Sequence, residues 1–546
     1  MITKGPVSAF LAPLLLILGT SHPALAAPGD LDQGFGSGGK VMTGIVASNL
    51  ALQPDSKIVV AGLGVSGPSP GFGLARFNPD GTFDASFGSG GTVITEFSNG
   101  AAALALQPDG KIVVAGGTRV TFPAPVDFAL ARYNPDGALD ATFGSGGKVV
   151  TDFGGANEGA KALAVQPDGK IVMAGTSSDG ALSSFKFAVA RYNPDGSLDS
   201  TFGAGGKVTT SFGGFTRAFA LALQPDGKIV VAGQALSQVA LARYNSDGTL
   251  DATFGSGGRA TGVVSGIAFA VALQLDGKIV VAGEFLARYS SSGHLDPTFG
   301  SGGVVPVSFG GRSASAVAIQ VDGKIMAGGE TSSSIPSGGD DFALARYNVD
   351  GTLDATFGSG GRVVTDFGSM DEEIRALALQ PDGKIVVVGP SPCCTNSILA
   401  RYLGDPVNQL AISLTLNQTA VRSGDALVLG TRRQRQGPAV TADFYLGALL
   451  PDGVTIVFVT NLSPLTFALG NLNDPRTFRP LFADLLIPEN SDVTTPNLLS
   501  FTFSGAEPPG AYVAFAALAQ PGAFVDGSDN PGDILAMDIQ PFSFSP

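Results

Sequence analysis

The residue types of a ligand-binding loop occur together in one short stretch of this sequence, ARYNPDGALDATFGSGG at residues 131–147. Asn134 and Asp136 stand before a glycine, as in calcium-binding loops, and the glycines within 144–147 could cradle a phosphate. A calcium loop, however, begins with a carboxylate and ends with a bidentate Glu, whereas this stretch has an arginine at the first position. A phosphate cradle opens a helix, whereas these glycines lead into the strand-forming residues 148–151. We therefore interpret the stretch as a hairpin turn built from Asn, Asp and Gly.

Groups for nucleophilic or general base catalysis are scarce in the chain. Of the two histidines, His22 lies in a leader segment, and His294 takes a turn position that Thr, Ser or Ala occupies in related stretches. A Ser-His-Asp hydrolase and a histidine-rich metal site are therefore not expected, and we assign no catalytic residue, no metal ligand and no cofactor. Cys393 and Cys394 are adjacent, with Cα atoms too close for a relaxed disulfide, and their oxidation state stays open.

Carboxylates outside the recurring pattern gather in the later part of the chain. The candidate binding residues are Glu330, Asp340, Asp341, Asp371, Glu372 and Glu373. Clustered acids are typical of a site for a cation or for a basic partner. The alternative is a solvated acidic surface, since the formal net charge is -14 and Arg312 and Arg375 lie close in sequence.

The structural unit that must carry these residues is an internal repeat. A Gln-x-Asp-x-Lys turn occurs seven times, about once every 55 residues, with its aspartate at Asp55, Asp109, Asp168, Asp226, Asp276, Asp322 and Asp382. Each copy contains four short strands, A to D, with Asp-Gly hairpin signals between A and B and between C and D. Four strands at this period favour a propeller blade, so the predicted fold class is all-β, with a seven-bladed β-propeller.

The two ends of the repeat array are complementary. Residues 31–46 contain a D strand without a preceding A, B or C strand, while the seventh copy stops after its C strand at residues 399–402. We expect the N-terminal strand to complete the last blade and to close the ring. An arginine on each C strand and an aspartate after each C–D turn also recur seven times, which predicts one Arg–Asp pair per blade, with Asp32 paired to Arg401.

The pattern LARYNPDGxLDxTFGxGGxV followed by ALxxQPDGKIVxxG resembles the delta-60 repeat family of exported bacterial proteins. The resemblance spans about residues 28–406 and implies a β-propeller and an exported bacterial protein, but it carries no activity. Three segments are predicted: a signal peptide at 1–26, the propeller at 27–406 and an immunoglobulin-like β-sandwich at 407–546. The sandwich is expected because about seven apolar or alternating runs occur there without a helical pattern.

Composition narrows the classes of function. The acidic net charge argues against a nucleic-acid partner, because phosphate binding needs clustered Lys and Arg. No stretch after the signal peptide stays apolar for long enough to form a transmembrane segment, so export to the periplasm, the cell surface or the medium is expected.

The expected binding surface is the face of the propeller that varies between copies. The A–B and C–D turns share one face, and the B–C and D–A connections share the other, where a protein or glycan partner is expected. The function expected is an exported, non-enzymatic binding protein of unknown ligand. The alternatives are a carboxylate-based secreted glycosidase or lyase, and a structural component of the cell envelope. Oligomeric state and the role of the sandwich stay open.

Overall fold

A computed structural model describes the repeat array at residues 27–66, 69–119, 126–155, 157–178, 185–332, 339–368, 371–391 and 396–405, and beyond residue 405 the strands given below. Every regular element of these residues is a strand. The described part of the chain accordingly holds no helix of a length and apolarity that could cross a membrane. The expected signal peptide at 1–26 and the pair Cys393 and Cys394 lie outside the described residues.

Seven antiparallel four-stranded blades form from the repeats. β1 (Lys40–Met42) precedes the first complete blade. Blades one to three consist, from strand A to strand D, of β2 (Val46–Leu52), β3 (Ile58–Ser66), β4 (Ser69–Phe77) and β5 (Thr92–Glu96); β6 (Ala101–Leu106), β7 (Ile112–Arg119), β8 (Val126–Tyr133) and β9 (Lys148–Thr151); and β10 (Asn157–Val165), β11 (Ile171–Ser178), β12 (Lys186–Tyr192) and β13 (Lys207–Thr210).

The later blades keep this order. Blades four to six consist of β14 (Thr216–Leu223), β15 (Ile229–Ala235), β16 (Gln238–Tyr244) and β17 (Arg259–Ser265); β18 (Ala270–Leu273), β19 (Ile279–Ala282), β20 (Phe285–Tyr289) and β21 (Val304–Pro306); and β22 (Ala314–Ile319), β23 (Ile325–Ser332), β24 (Asp340–Tyr347) and β25 (Arg362–Thr365). Blade seven contains β26 (Ala376–Leu379), β27 (Ile385–Pro390) and β28 (Ser397–Tyr402) as its strands A to C.

Strands B and C are continuous apolar runs because both of their faces are covered. In blade three, β11 and β12 are buried along nearly their whole length. Seven hydrophobic clusters occur among the described residues, and each combines side chains of two neighbouring blades. The A strands of successive blades also contact one another around the ring, from β2 through β26 and back to β2. The core therefore lies between the blades, and the A strands line the centre.

The first and last strands of the array lie in one sheet. β1 pairs antiparallel with β28, with Lys40 opposite Ala400, and supplies the fourth strand beside β26, β27 and β28. This strand is shorter than the sequence pattern predicted. Its main apolar anchor is Phe35, which is fully buried before the strand begins, whereas Met42 within it is 45% exposed.

Beyond residue 405, two further sheets are described. Their strands are β29 (Gln409–Leu416), β30 (Ala420–Arg422), β31 (Ala426–Gln436), β32 (Val440–Leu449), β33 (Thr455–Leu462), β34 (Leu465–Asn471), β35 (Phe482–Ile487), β36 (Asp492–Thr502), β37 (Gly510–Ala519) and β38 (Ile534–Ser545). One sheet has the order β29-β31-β36, and the other has the order β30-β38-β37-β32-β33-β34, with β35 beside β32. The all-β character expected from the alternating runs therefore extends to this region.

Candidate functional site

The predicted Arg–Asp pairs are present in all seven blades. In blade two, Arg132 on strand C donates from Nε to Oδ2 of Asp140 at 2.8 Å, and both side chains are buried. The same pair joins Arg76 to Asp84, Arg191 to Asp199, Arg243 to Asp251, Arg288 to Asp296, Arg346 to Asp354 and Arg401 to Asp32. The last of these links the two ends of the repeat array, as predicted.

Each of these arginines also holds its own blade to the next one. The guanidinium of Arg132 lies over the ring of Phe143, 4.4 Å from its centroid, and its Nη1 donates to the carbonyl oxygen of Pro194 in blade three. The planar guanidinium of arginine can stack on an aromatic ring and donate in a fixed fork at the same time, which the ammonium group of lysine cannot do. In blade six, where no complete C–D turn follows, the carboxylate of Asp405 accepts from Arg346 instead.

A lysine missed by the sequence prediction completes each pair. Lys111, from the A–B turn, lies 3.2 Å from Oδ2 of Asp140, and Thr142 donates to Oδ1 of the same carboxylate. The equivalent lysines, which lie between 3.0 and 3.5 Å from their aspartates, are Lys57, Lys170, Lys228, Lys278, Lys324 and Lys384. Burial alone raises the pKa of Asp140, but the hydrogen bonds from Thr142 and Lys111 and the charge of Arg132 outweigh it and hold this pKa well below its usual range.

The glycines that suggested a phosphate cradle connect blades instead. The N–H of Gly144 donates to the carbonyl oxygen of Asp195 in the next blade at 2.8 Å. Gly144 has a φ of 52°, and a Cβ there would lie 2.4 Å from the carbonyl oxygen of Lys148, so only glycine fits. The stretch that resembled a ligand loop is therefore a connector within the scaffold.

Acid should unfold the protein through these aspartates. The pKa of Asp251 falls to about 2 in the folded state, because hydrogen bonds from Thr253 and the charges of Arg243 and Lys228 overcome the effect of burial. A folded-state pKa below the unfolded value of about 3.9 stabilises the protein above that pH, and the stabilisation is lost as the pH falls through the folded pKa.

We therefore expect the melting temperature to fall most steeply between about pH 4 and pH 2, measured by calorimetry. An Asp251→Asn variant should be less stable at pH 7 and should lose less stability over that interval. Parallel curves for the two proteins would contradict the assignment.

The six acids predicted as a binding group lie on the variable face of blade six and on the chain that leads to blade seven. Arg312 donates from Nη2 to Oδ1 of Asp340 at 2.7 Å and has its Nη1 3.9 Å from Oε1 of Glu330. Burial and the charges of Asp340 and Glu373 raise the pKa of Glu330. Burial and the charge of Asp366 likewise raise the pKa of Asp341. Negative charge is therefore crowded at this part of the face.

The last three of these acids differ from one another in access to solvent. Asp371 is exposed and has a φ of 57°, while Glu373 accepts from Nε of Arg375. Glu372 is fully buried, and its Oε2 accepts from the N–H of Phe367 at 3.1 Å. Glu372 thus stabilises the D–A connection. The sequence analysis predicted that a partner binds Glu372, but a partner cannot reach this buried side chain.

A second group of carboxylates, which sequence reasoning missed, lies at the equivalent position of blade two. Asp127, Asp152 and Glu158 each place one carboxylate oxygen within 4.8 Å of the others. Their counterparts in blade six are Asp341, Asp366 and Glu372. A sequence signal for this group does exist. Blades two and six share the residues DF at the start of strand C and TDF at the end of strand D.

A basic side chain of an A strand, Lys161, was also missed. Lys161 in blade three is the extra residue of a β-bulge between Ala160 and Ala162, a feature that re-aims a side chain. Desolvation by the surrounding protein and the charges of Arg217 and Arg375, from blades four and seven, lower the pKa of Lys161, although its side chain is exposed. Cations of blades three, four and seven are therefore close enough to influence one another.

The fold and the repeated turn define a class, a seven-bladed β-propeller built from copies of one blade. Six segments match a sequence family described as "Domain of unknown function (DUF5122) beta-propeller", at residues 53–87, 107–143, 166–202, 224–254, 274–299 and 320–357. The chain therefore contains DUF5122 beta-propeller repeats, and the narrower delta-60 assignment stays a prediction.

Similarity to proteins of known structure is weak. No curated protein matches the chain at a significant level. Chaetomium thermophilum Sqt1, bound to the N-terminus of the ribosomal protein L10, is 12% identical with a TM-score of 0.39, over 66% of this chain and 97% of that chain. A protein from Lactobacillus plantarum is 16% identical with a TM-score of 0.37, over 59% of this chain and 88% of that chain. Likeness at this level supplies no ligand for this chain.

Proposed function

We propose that the protein is an exported, non-enzymatic binding protein, and that a protein or glycan partner docks on the face formed by the B–C and D–A connections. The observation that carries this proposal is that the two faces of the propeller differ in what their charged side chains contact. On the turn face, the recurring Arg, Asp and Lys side chains bind one another and the next blade. The acidic side chains that differ between blades, such as Glu330, Asp340 and Asp341, lie on the opposite face.

The partner carries positive charge at the point where it meets blade six. Asp340, Asp341 and Asp371, with Glu330 and Glu373, bring five carboxylates to this part of the face. Arg312 and Arg375 offset two of those charges. The raised pKa values of Glu330 and Asp341 support the same conclusion, because crowded carboxylates are relieved by an approaching cation.

The architecture proposed with this function is a ring closed by the N-terminal strand and followed by an immunoglobulin-like sandwich at 407–546. The pairing of β1 with β28 supports the closure. The two C-terminal sheets support the sandwich, since β29 of one sheet lies against β37 and β38 of the other. The leader at 1–26 supports export by its sequence pattern.

Charge removal on the variable face tests the function. Glu330→Gln, Asp340→Asn, Asp341→Asn and Asp371→Asn are combined in one protein, and Asn suits the positive φ at position 371. Binding is measured by capture from a cell-envelope extract with quantitative mass spectrometry, and by biolayer interferometry against a panel of neutral and amino-sugar glycans. We expect the specific partner to lose at least about tenfold in affinity, because clustered interfacial charges of this kind contribute on the order of 1–2 kcal/mol or more.

The matched control carries Asp109→Asn, Asp168→Asn, Asp226→Asn and Asp276→Asn, which removes the same charge from exposed A–B turns on the other face. The control should bind as the wild type does. If both proteins bind equally well, or if only the control loses binding, the docking face is assigned wrongly.

A further inference from the structure

Three carboxylates of two neighbouring blades converge on the variable face of the ring. Asp127 lies in β8, strand C of blade two, and Asp152 directly follows β9, strand D of that blade. Glu158 lies in β10, strand A of blade three. Asn157 also pairs with Val126 at this point, which joins the two blades into one eight-stranded sheet. The three acids therefore occupy the seam between two blades.

One oxygen of this group lacks a hydrogen-bond partner. Asp127 is only 8% exposed, and its Oδ1 is buried without a donor. Asp127 is also one of the three acids that each place a carboxylate oxygen within 4.8 Å of the others. A buried carboxylate oxygen without a donor or a cation is costly, and native proteins rarely leave one.

The described lysines and arginines around the group do not neutralise it. Lys207 contacts the group, but its Nζ donates to the backbone carbonyl oxygen of Asp152 at 2.9 Å rather than to a carboxylate. Burial raises the pKa of Asp127, and the charge of Asp152 raises it further. Burial is also the main cause of the raised pKa of Glu158. The negative charge of the three carboxylates is thus not balanced by a neighbouring cation of the described residues.

Glu158 is held in place by the protein itself. Its Oε1 accepts from the N–H of Gly155 at 2.8 Å and from Oγ of Ser177 at 3.1 Å, and its Oε2 accepts from the N–H of Phe153 at 2.7 Å. A carboxylate has about four lone-pair positions, so one position on Oε2 stays open. Because these hydrogen bonds already orient the Glu158 carboxylate, a ligand that binds it causes little further loss of side-chain entropy.

We propose that Asp127, Asp152 and Glu158 form a Ca²⁺ site that fastens blade two to blade three. Carboxylate oxygens without nitrogen or sulfur select hard cations. The three acids each place one oxygen within 4.8 Å of the others, close enough for one Ca²⁺ to contact all three. Three carboxylates favour Ca²⁺, because Mg²⁺ keeps several of its waters and is usually held by one or two carboxylates. This site does not depend on a partner at blade six.

The same three residue types recur at the equivalent positions of blade six, which argues against a chance occurrence in the sequence. Asp341, Asp366 and Glu372 take the three equivalent positions, and the N–H of Phe367 donates to Glu372 as that of Phe153 does to Glu158. Blade one has Gly71 and Glu96 at the positions of Asp127 and Asp152. Glu96 is exposed, so it offers a matched control acid without the rest of the group.

The test uses the full chain, freed of metal with a chelator and titrated with CaCl₂ and with MgCl₂ by calorimetry. We expect saturable Ca²⁺ binding that is tighter than Mg²⁺ binding, and Asp127→Asn should lower the Ca²⁺ stoichiometry by one. A Ca²⁺ concentration about a hundredfold above the dissociation constant should raise the melting temperature of the wild type by about 3–5 °C and that of Asp127→Asn by less.

Two readouts separate a cation site from a merely structural role. In chelator, Asp127→Asn should melt at or above the wild-type temperature, because it removes a buried charge, and the Glu96→Gln control should keep wild-type Ca²⁺ binding. The proposal is overturned if the wild type binds no Ca²⁺ or prefers Mg²⁺. It is equally overturned if Asp127→Asn keeps the full stoichiometry, or if Glu96→Gln loses as much.

Discussion

A protein that begins at Gly44 should melt about 10 °C or more below one that begins at Ala27, or should aggregate. The shorter protein lacks Phe35, which is fully buried between blades seven and one. Loss of one such aromatic side chain costs about 3–5 kcal/mol, a large share of a typical domain stability of about 5–15 kcal/mol. It also lacks Asp32, so Arg401 would remain buried without its carboxylate.

The deletion further exposes β28, all six residues of which are buried in the intact blade. An open apolar strand edge is a template for pairing with another chain. Calorimetry measures the melting temperature, and size-exclusion chromatography with light scattering measures association. Phe35→Ala should reproduce part of the loss, whereas Phe83→Ala, at a position 40% exposed, should cost clearly less. An unchanged melting temperature and a monomer for the shorter protein would show that the ring holds without its N-terminal strand.

The blade count and the Arg–Asp pairs could be predicted because the same residues recur at the same positions in seven copies of the repeat. A single ARYNPDG stretch is ambiguous between a ligand loop and a hairpin. Seven copies with arginine at one position and aspartate eight residues later leave a structural pair as the common explanation, as between Arg132 and Asp140. The split copy at the two ends then predicted the pair of Asp32 with Arg401 by elimination.

Contacts between blades could not be read from the sequence. The carbonyl oxygen of Pro194 accepts from Arg132 across a separation of 62 residues, and a carbonyl leaves no mark in a sequence pattern. The sequence pattern included Lys111 as part of the A–B turn. Its contact with Asp140 could not be predicted, because it depends on how strand B packs against strand C.

The candidate site shows the same limit for acidic residues. Sequence position placed Glu372 and Glu373 together, yet the first is fully buried as a loop acceptor and the second pairs with Arg375 on the surface. Asp127 and Glu158 are 31 residues apart and meet only because a D–A connection crosses from one blade to the next. Counting acids cannot distinguish these cases, because burial and hydrogen bonding of a carboxylate are properties of the folded chain.

Removal of one scaffold arginine should be nearly as damaging as the deletion. Arg132→Ala leaves Asp140 buried with Lys111 as its remaining cation and empties the space over Phe143. Breaking a buried ion pair from one side typically costs about 3–5 kcal/mol. Urea unfolding should show this loss. Arg362→Ala, at an exposed position of strand D in blade six, should stay within about 0.5 kcal/mol of the wild type.

A double variant separates the charge from the packing. If the uncompensated carboxylate causes most of the loss, Asp140→Asn should restore part of the stability when it is added to Arg132→Ala, although it destabilises the protein alone. This sign reversal is the signature of a coupled buried pair in a double-mutant cycle. If the two losses simply add, the arginine acts through its contacts with Phe143 and Pro194. The seven arginines would then stabilise the contacts between neighbouring blades, and the electrostatic coupling of each Arg–Asp pair within its blade would be small.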